Sequence, residues 1–179
     1  RIVALNSNEQ LAKQAEWLDE VLENNTERWT ECTFHHPVFS TGGDRDNPEL
    51  RRLWKPILDK HLVDLVLQGH DHTYGRTGLE TPVSGKKLTE VTNAGSGVSG
   101  KDPKTGTVYD VSVSGPKMYK LQRHAFMTKQ LADTQLYQII QIDGDQLRYE
   151  ARAAVGEVYG TFTLKKRSGN INQLIEASE

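Results

Sequence analysis

The chain has 179 residues, 36% of them hydrophobic and 26% charged, and a formal net charge of −2. That length suits one domain with a core of its own. The mixed, near-neutral charge gives no bias toward nucleic acid or an anionic membrane, and no run of about eighteen apolar residues offers a spanning helix.

Ile2–Leu5 reads as a strand. Ser7-Asn8-Glu9-Gln10 has the S-x-x-Q form of a capping box. Leu11, Ala15, Leu18 and Leu22 follow at helical spacing, with Trp17 and Val21 widening the apolar face. Asn24-Asn25 ends that helix and, with Thr26, matches a glycosylation sequon, a pattern common by chance. Trp29–Phe34 is a second strand, and the single cysteine, Cys32, is expected to be buried in it; one cysteine excludes an internal disulfide framework. Strand, helix, strand in this order predicts a parallel pair with the helix on one face. His35-His36-Pro37 comes next, where Pro37 stops the strand and holds His36 extended or turning. A Gly- and Asp-rich loop, Ser40–Asp46, leads to Asn47 as N-cap and Pro48 at the first helical position. Leu50, Leu53, Trp54, Ile57 and Leu58 carry a helical stripe that Pro56 is expected to kink or split. The apolar run Leu62–Leu67 reads as a buried strand ending at Gly69-His70-Asp71-His72.

The stretch Thr81–Gly106 is rich in Gly, Ser, Thr and Lys and has little periodicity. Gly95-Ser96-Gly97-Val98-Ser99-Gly100 fits G-x-G-x-x-G, but the turn Lys101-Asp102-Pro103-Lys104 follows where a dinucleotide site needs a helix. Val91–Gly97 reads more simply as a strand running into a tight loop. Val108, Val111 and Val113 suggest another extended piece, and Lys120–Asp133 a short helix or a loop over the site. Gln135–Ile142, Leu147–Ala153 and Val158–Leu164 read as strands joined by turns at Asp143-Gly144 and Val155-Gly156, forming a mostly antiparallel second sheet. Asn170–Glu179 reads as a polar tail.

Two histidine clusters thus fall at the ends of two strands, where ligands gather in parallel sheets. On extended backbone, residues i and i+2 lie on one side, roughly 6.5 Å apart. Paired catalytic metals sit about 3.5–4 Å apart, and imidazole reaches a metal at about 2.0–2.1 Å. The spacing lets His70 and His72 serve one metal each, and Gly69 allows the chain to turn before them. His61 reads as a partly buried structural residue. His124 reads more readily as structural than as part of a substrate mouth.

Cys32-Thr33-Phe34-His35-His36-Pro37-Val38-Phe39, followed by Val63–Arg76 with Gly69-His70-Asp71-His72-Thr73-Tyr74-Gly75-Arg76, resembles the calcineurin-like metallophosphoesterases. The branch it is most similar to is the purple acid phosphatases, whose late motifs are V-x-x-H and G-H-x-H followed by an aromatic and an Arg. Gln14-Ala15-Glu16-Trp17-Leu18 and Ile142–Leu147 are also similar to that branch. The resemblance covers Arg1–Arg76 well and Asp133–Lys166 more loosely. It implies an α/β (mixed α+β) fold, part of a four-layer αββα sandwich, with parallel strand–helix–strand units followed by the antiparallel sheet. It implies that His35 and His70 ligate one metal and His72 the other. The cofactors would be two divalent or trivalent ions, Fe, Zn or Mn, and a metal-bound hydroxide would attack a phosphate monoester in line. His36 would donate a proton to the leaving alcohol, hydrogen-bond the phosphate, or stand by as a solvated histidine. Asp71 is expected to point away from the metals. Tyr74 and Arg76 either wall the site or serve packing and an ion pair.

The earlier family motifs, D-x-H/G, G-D-x-x-Y and G-N-H-E/D, are absent, and with them the bridging carboxylate and the Asn and Tyr ligands. The expectation is therefore the C-terminal portion of a single metallophosphoesterase domain. Residues 1–76 would form a βαβαβ part with the His motifs, 77–134 a loop-rich part, 135–166 antiparallel strands and 167–179 a polar tail. The expected partners are a phosphate-ester substrate and the missing N-terminal half, without which this chain is expected to be inactive. The alternative is a non-catalytic ligand- or partner-binding module that retains the fold. A structural Zn held by His35, His70 and His72 is disfavoured, because such sites take four ligands, often Cys. A secreted or periplasmic home follows from the resemblance only.

Overall fold

Every third or fourth residue from Leu11 to Leu22 is apolar, and helix α1 (Leu11–Glu23) turns Ala15, Leu18 and Leu22 inward. The computed structural model describes residues 1–79 and 106–176. Strands β1 (Ile2–Ala4), β2 (Glu31–Phe34) and β3 (Leu65–Gln68) alternate with α1 and α2 (Pro48–Lys60), and β4 (Tyr74–Thr77), β5 (Val108–Val111) and β6 (Met127–Leu131) complete a six-stranded sheet. Its order is β1-β2-β3-β5-β4-β6. The β1–β2 and β2–β3 pairs are parallel, as strands linked by crossover helices require, and β3–β5 is parallel too. Strand β4 runs antiparallel to β5 and β6. Strands β7 (Leu136–Asp143), β8 (Gln146–Ala153), β9 (Val158–Arg167) and β10 (Asn170–Glu176) form the antiparallel second sheet, ordered β10-β9-β8-β7.

The two cores define the layers. Leu18, Leu22, Leu50, Trp54 and Leu58 from the helices meet Val3, Cys32, Phe34 and Val66 on one face of the first sheet. On the other face, Leu65, Tyr74 and Val108 meet Leu136, Leu147, Tyr149, Ala151, Phe162 and Leu164 of the second sheet. The period-two burial of Leu147, Tyr149, Ala151 and Ala153 on β8 is what a sheet with one packed face requires. The described residues therefore build one helical layer and both sheets, the mixed α/β architecture expected.

Several local expectations are corrected. Gln10 adopts a left-handed conformation (φ 52) and no side chain caps α1. Ser7 is instead engaged by His36, and Gln14 secures the approach through Asn6 and Glu9. Pro56 does not split α2. It lies on the exposed side, as does Arg52, so the carbonyl it deprives of a partner meets water while Trp54 and Leu58 hold the buried face. The segment read as a helix or loop from Lys120 contains strand β6, and the polar tail contains β10. Composition hid the latter because β10 is held by a tight Ser168-Gly169 turn and by pairing with β9. The Val91–Gly97 strand and the Gly95–Gly100 pattern lie outside the described residues.

Buried polar ties join the sheets at the amino ends of the strands. Asp64, just before β3, accepts from the Thr30 amide (2.8 Å) and from Lys166 and Asn172 of the second sheet. The Trp29 indole donates to Gly144 O at 2.9 Å. The carboxyl ends carrying the histidine loops stay clear of these ties.

Between the sheets, the Tyr149 hydroxyl donates to Asp110 at 2.6 Å. Burial pushes the Asp110 carboxyl up to about 7, against the pull of the Tyr149 bond and the Arg76 charge. The unfolded carboxyl titrates near ~3.9, so between roughly pH 4 and 7 the folded chain binds more protons and stability falls as pH rises. Asp110→Asn keeps an acceptor for Tyr149 and removes the proton. Urea denaturation at pH 4 and pH 8 should show the variant gaining on the order of 2–4 kcal/mol over wild type at the higher pH only; parallel pH profiles would refute this.

Candidate metal centre

Strands β2 and β3 are paired in register, Phe34 opposite Gln68, so the chain leaves both at the same level. Gly69 N–H donates to His35 O at 3.0 Å, and the Gln68 amide reaches His36 O at 3.3 Å, stitching the two histidine loops together. His70 and His72 both take left-handed conformations, φ 71 and φ 50, which non-glycine residues adopt only at a cost of about 1–3 kcal/mol. The extended geometry assumed from sequence therefore does not hold. His70 turns to His35, Nδ1 to Nε2 at 3.0 Å. His72 turns aside, its Nδ1 at 2.7 Å from Lys117 O and its ring stacked on Tyr119 at 4.4 Å.

One ring nitrogen from each of His35, His36 and His70 lies within 4.8 Å of the others. His36, read from the sequence as a proton donor, phosphate contact or bystander, is inside this trio; His72 is outside it. Ser7 orients His36 twice: its Oγ accepts the His36 amide at 2.9 Å and lies 3.0 Å from Nδ1.

Asp71 faces away from the trio. It is fully buried, and one carboxylate oxygen accepts from Ser40 Oγ (2.6 Å), Thr41 N–H (2.7 Å) and Gly42 N–H (3.1 Å). This fixes the Gly- and Asp-rich loop beside the histidines. A third segment is sewn in by Tyr119 N–H to His72 O, Lys120 O to Gly43 N–H and Gln122 N–H to Thr41 O. Together they deliver residues the sequence reading passed over: Ser7, Arg45, Lys117 and Tyr119. Arg45 Nη1 meets His70 Nε2 at 2.5 Å, and its guanidinium lies 4.5 Å from the Tyr119 ring centroid. A signal was available: between Asp110 and Asp133 the chain has Lys117, Lys120, Arg123 and Lys129 and no acidic residue.

Tyr74 and Arg76 do not wall the site. They lie on β4 in the second core, with Arg76 fully buried and paired to Glu176 at 2.7 Å. His124 is 3% exposed and stacked on Phe126 rather than at a mouth. His61 is largely buried against Asp19, in a network that Lys60 extends to Asp19 (2.9 Å) and Glu23 (3.4 Å), tying α2 to α1.

Burial, with His36, Arg45 and His35 adding to it, pushes His70 down to about 4. Burial and then His35 lower His36 also. Both rings are therefore neutral at pH 7, the state that offers a lone pair to a transition metal. With imidazole–metal bonds of about 2.0–2.1 Å, two donors to one ion lie at most about 4.2 Å apart. The His35–His70 pair fits that limit, and the trio needs a small contraction at most. The donor set suits one borderline ion such as Zn or Fe. No carboxylate joins this trio among the described residues.

No family model matches the chain. A stretch of 71 residues is 34% identical to an uncharacterized protein of Mycobacterium tuberculosis, covering 36% of this chain and 13% of that protein. A stretch of 55 residues is 38% identical to purple acid phosphatase 17 of Arabidopsis thaliana, covering 31% of this chain and 16% of that protein. Among solved structures, purple acid phosphatase PPD1 from yellow lupin (Lupinus luteus) seeds matches with a TM-score of 0.69 at 18% identity, over 94% of this chain and 31% of that one. PhoD matches with a TM-score of 0.57 at 11% identity, over 93% and 35%. GAP50, the anchor in the inner membrane complex of Plasmodium, matches with a TM-score of 0.53 at 12% identity, over 99% and 49%. The chain thus spans only a minor part of the curated relatives it matches, and less than half of each of these structures. Its fold is metallophosphoesterase-like, and the resemblance read from the histidine motifs is upheld. Within that class its fold is like that of purple acid phosphatase PPD1 over nearly its whole length.

In a proton NMR titration of the EDTA-treated chain, the His70 ring should have its midpoint near 4. Arg45→Gln, which removes one of the charges that depress it, should move the midpoint upward. A wild-type midpoint near ~6.5, the ordinary value, would refute this account of the trio.

Proposed function

We propose that this chain carries the late histidine part of a metal-dependent phosphoesterase centre acting on phosphate monoesters. The convergence of His35, His36 and His70 at the carboxyl ends of two paired parallel strands is the observation that carries it. His35 and His70 would hold one ion and His72 the second, with Fe, Zn or Mn as the candidates. When bound, such ions supply Lewis acidity and activate water for attack on the ester. His36 acts beside them through its N–H. In the tautomer where Ser7 Oγ, having accepted the His36 amide, donates its own proton to Nδ1, Nε2 is protonated and donates to phosphate, and His36 then leaves the ion to His35 and His70. Its lowered proton affinity favours that neutral donor over an imidazolium acid.

The carboxylate ligands of a two-ion centre would come from a preceding half of the same domain, for which the exposed side of β1, the edge of the first sheet, is the natural place to pair. By the same reading the four parts, 1–76, 77–134, 135–166 and 167–179, belong to one domain. A secreted or periplasmic setting accords with the purple acid phosphatase relatives; no helix among the described residues is long and apolar enough to cross a membrane. A second reading, a module that binds a partner without catalysis, draws support from a structural neighbour described as an anchor.

Elemental analysis after dialysis, with Zn titrated back, separates these. Expected are one weakly held ion per chain, loss of that uptake in His35→Ala and His70→Ala, and no appreciable metal-dependent hydrolysis of p-nitrophenyl phosphate. Two tightly held ions, or robust turnover by the pure 20.1 kDa species, would overturn the incomplete-centre reading. No uptake at all would favour the non-catalytic module.

A further inference from the structure

Two cations stand at the mouth of the centre with no acidic partner among the described residues. Arg45 lies 4.5 Å and Lys117 Nζ 5.0 Å from the Tyr119 ring centroid, and the His72 ring stacks on that same phenol. Both residues are tied to the histidine loops. Arg45 Nη1 contacts His70 Nε2, and Lys117 O receives His72 Nδ1. The carboxylates of the neighbourhood are engaged elsewhere or apart. Asp71 is held by Ser40, Thr41 and Gly42. Asp46 is paired with Arg51 at 2.7 Å. Among the described residues, exposed Asp44 forms no ion pair with either cation.

The choice of partner has a physical consequence. A carboxylate would hold these side chains but cancel their charge, whereas an aromatic face holds a cation and leaves its charge uncancelled. The Arg45 fork keeps donors for an anion, and exposed Lys117 adds a second unit of positive charge. Such a pair favours a dianion over a monoanion, since the attraction doubles with ligand charge at equal distance. A phosphate monoester is largely dianionic above its second pKa of about 6; a diester carries one charge.

We propose that Arg45 and Lys117, held on Tyr119, form an anion-recognition wall beside the histidines that selects phosphate monoesters over diesters; this rests on the phosphoesterase reading above. The wall binds the phosphoryl dianion whether or not metal is present, and the metal ligands play no part in the discrimination.

The test is a titration of the EDTA-treated full chain at pH 8 and low ionic strength with inorganic phosphate and, separately, dimethyl phosphate, followed by chemical-shift changes in the protein. Inorganic phosphate should bind at least about fivefold tighter than dimethyl phosphate. Arg45→Gln and Lys117→Gln should each weaken phosphate by about fivefold, as loss of one partly exposed charge contact predicts. Lys13→Gln, an equal charge change at an exposed position on α1, should leave binding unaltered. Arg45→Lys, which keeps the charge, should retain most of the affinity and guards against a folding defect in the glutamine variant. Equal binding of the two anions, no binding of either, or a loss in Lys13→Gln matching the others would each overturn the proposal. Because metal is absent throughout, failure here leaves the metal-uptake result standing, and failure of metal uptake leaves this result standing.

Discussion

The in-register parallel pairing of β2 with β3 is the constraint on which the centre depends. Two sequence-distant segments end at one level only because Phe34 lies opposite Gln68. A shift by one residue would turn every side chain of β3 to the other face. Val66 would then leave the helical core and His70 would leave His35. The same pairing supplies the backbone bond from Gly69 to His35, so the contact that closes the sheet also sets the distance between the first two imidazoles.

The rest of the molecule keeps this end of the sheet free while anchoring the other. Asp64, Lys166, Asn172 and the Trp29 indole spend their hydrogen bonds at the amino ends. Buried polar groups are tolerated there because each finds a partner. At the carboxyl ends, a single buried carboxylate, Asp71, does the corresponding work for a loop by collecting one hydroxyl and two amide donors. Its hydrogen bonds are directed into the loop, and among the described residues no carboxylate joins the histidine trio. Burial lowers the proton affinity of His36 and His70, with Arg45 and Lys117 close by. The site thus separates its tasks: lone pairs on imidazole, positive charge on an aromatic platform.

Left-handed backbone at His70 and His72 is the price of that separation. Extended chain would have presented both rings to one side. Turning each residue through the left-handed region sends one ring to the neighbouring strand and the other to the Lys117–Tyr119 segment, which none of the sequence spacings connects to the histidine motif. Loop positions carry such strain when surrounding contacts over-determine them, and here His35, Lys117 O and the Tyr119 ring provide those contacts.

The sequence by itself determined the alternating strands and helices of the first half, the antiparallel strands β7, β8 and β9, and the presence of histidines at two strand ends. These follow from hydrophobic period and from breaking residues such as Pro37, which act over a few neighbouring positions. It also carried enough of the histidine motifs for the metallophosphoesterase resemblance. Tertiary structure alone decided that β10 exists, that Pro56 stays inside one helix, that Ser7 serves His36 rather than capping α1, and that Tyr74 and Arg76 turn into the second core. It alone brought His36 into the trio and placed Arg45, Lys117 and Tyr119 against it. Each of these depends on which distant segment arrives to pair, bury or donate a hydrogen bond, and local periodicity contains no information about that arrival.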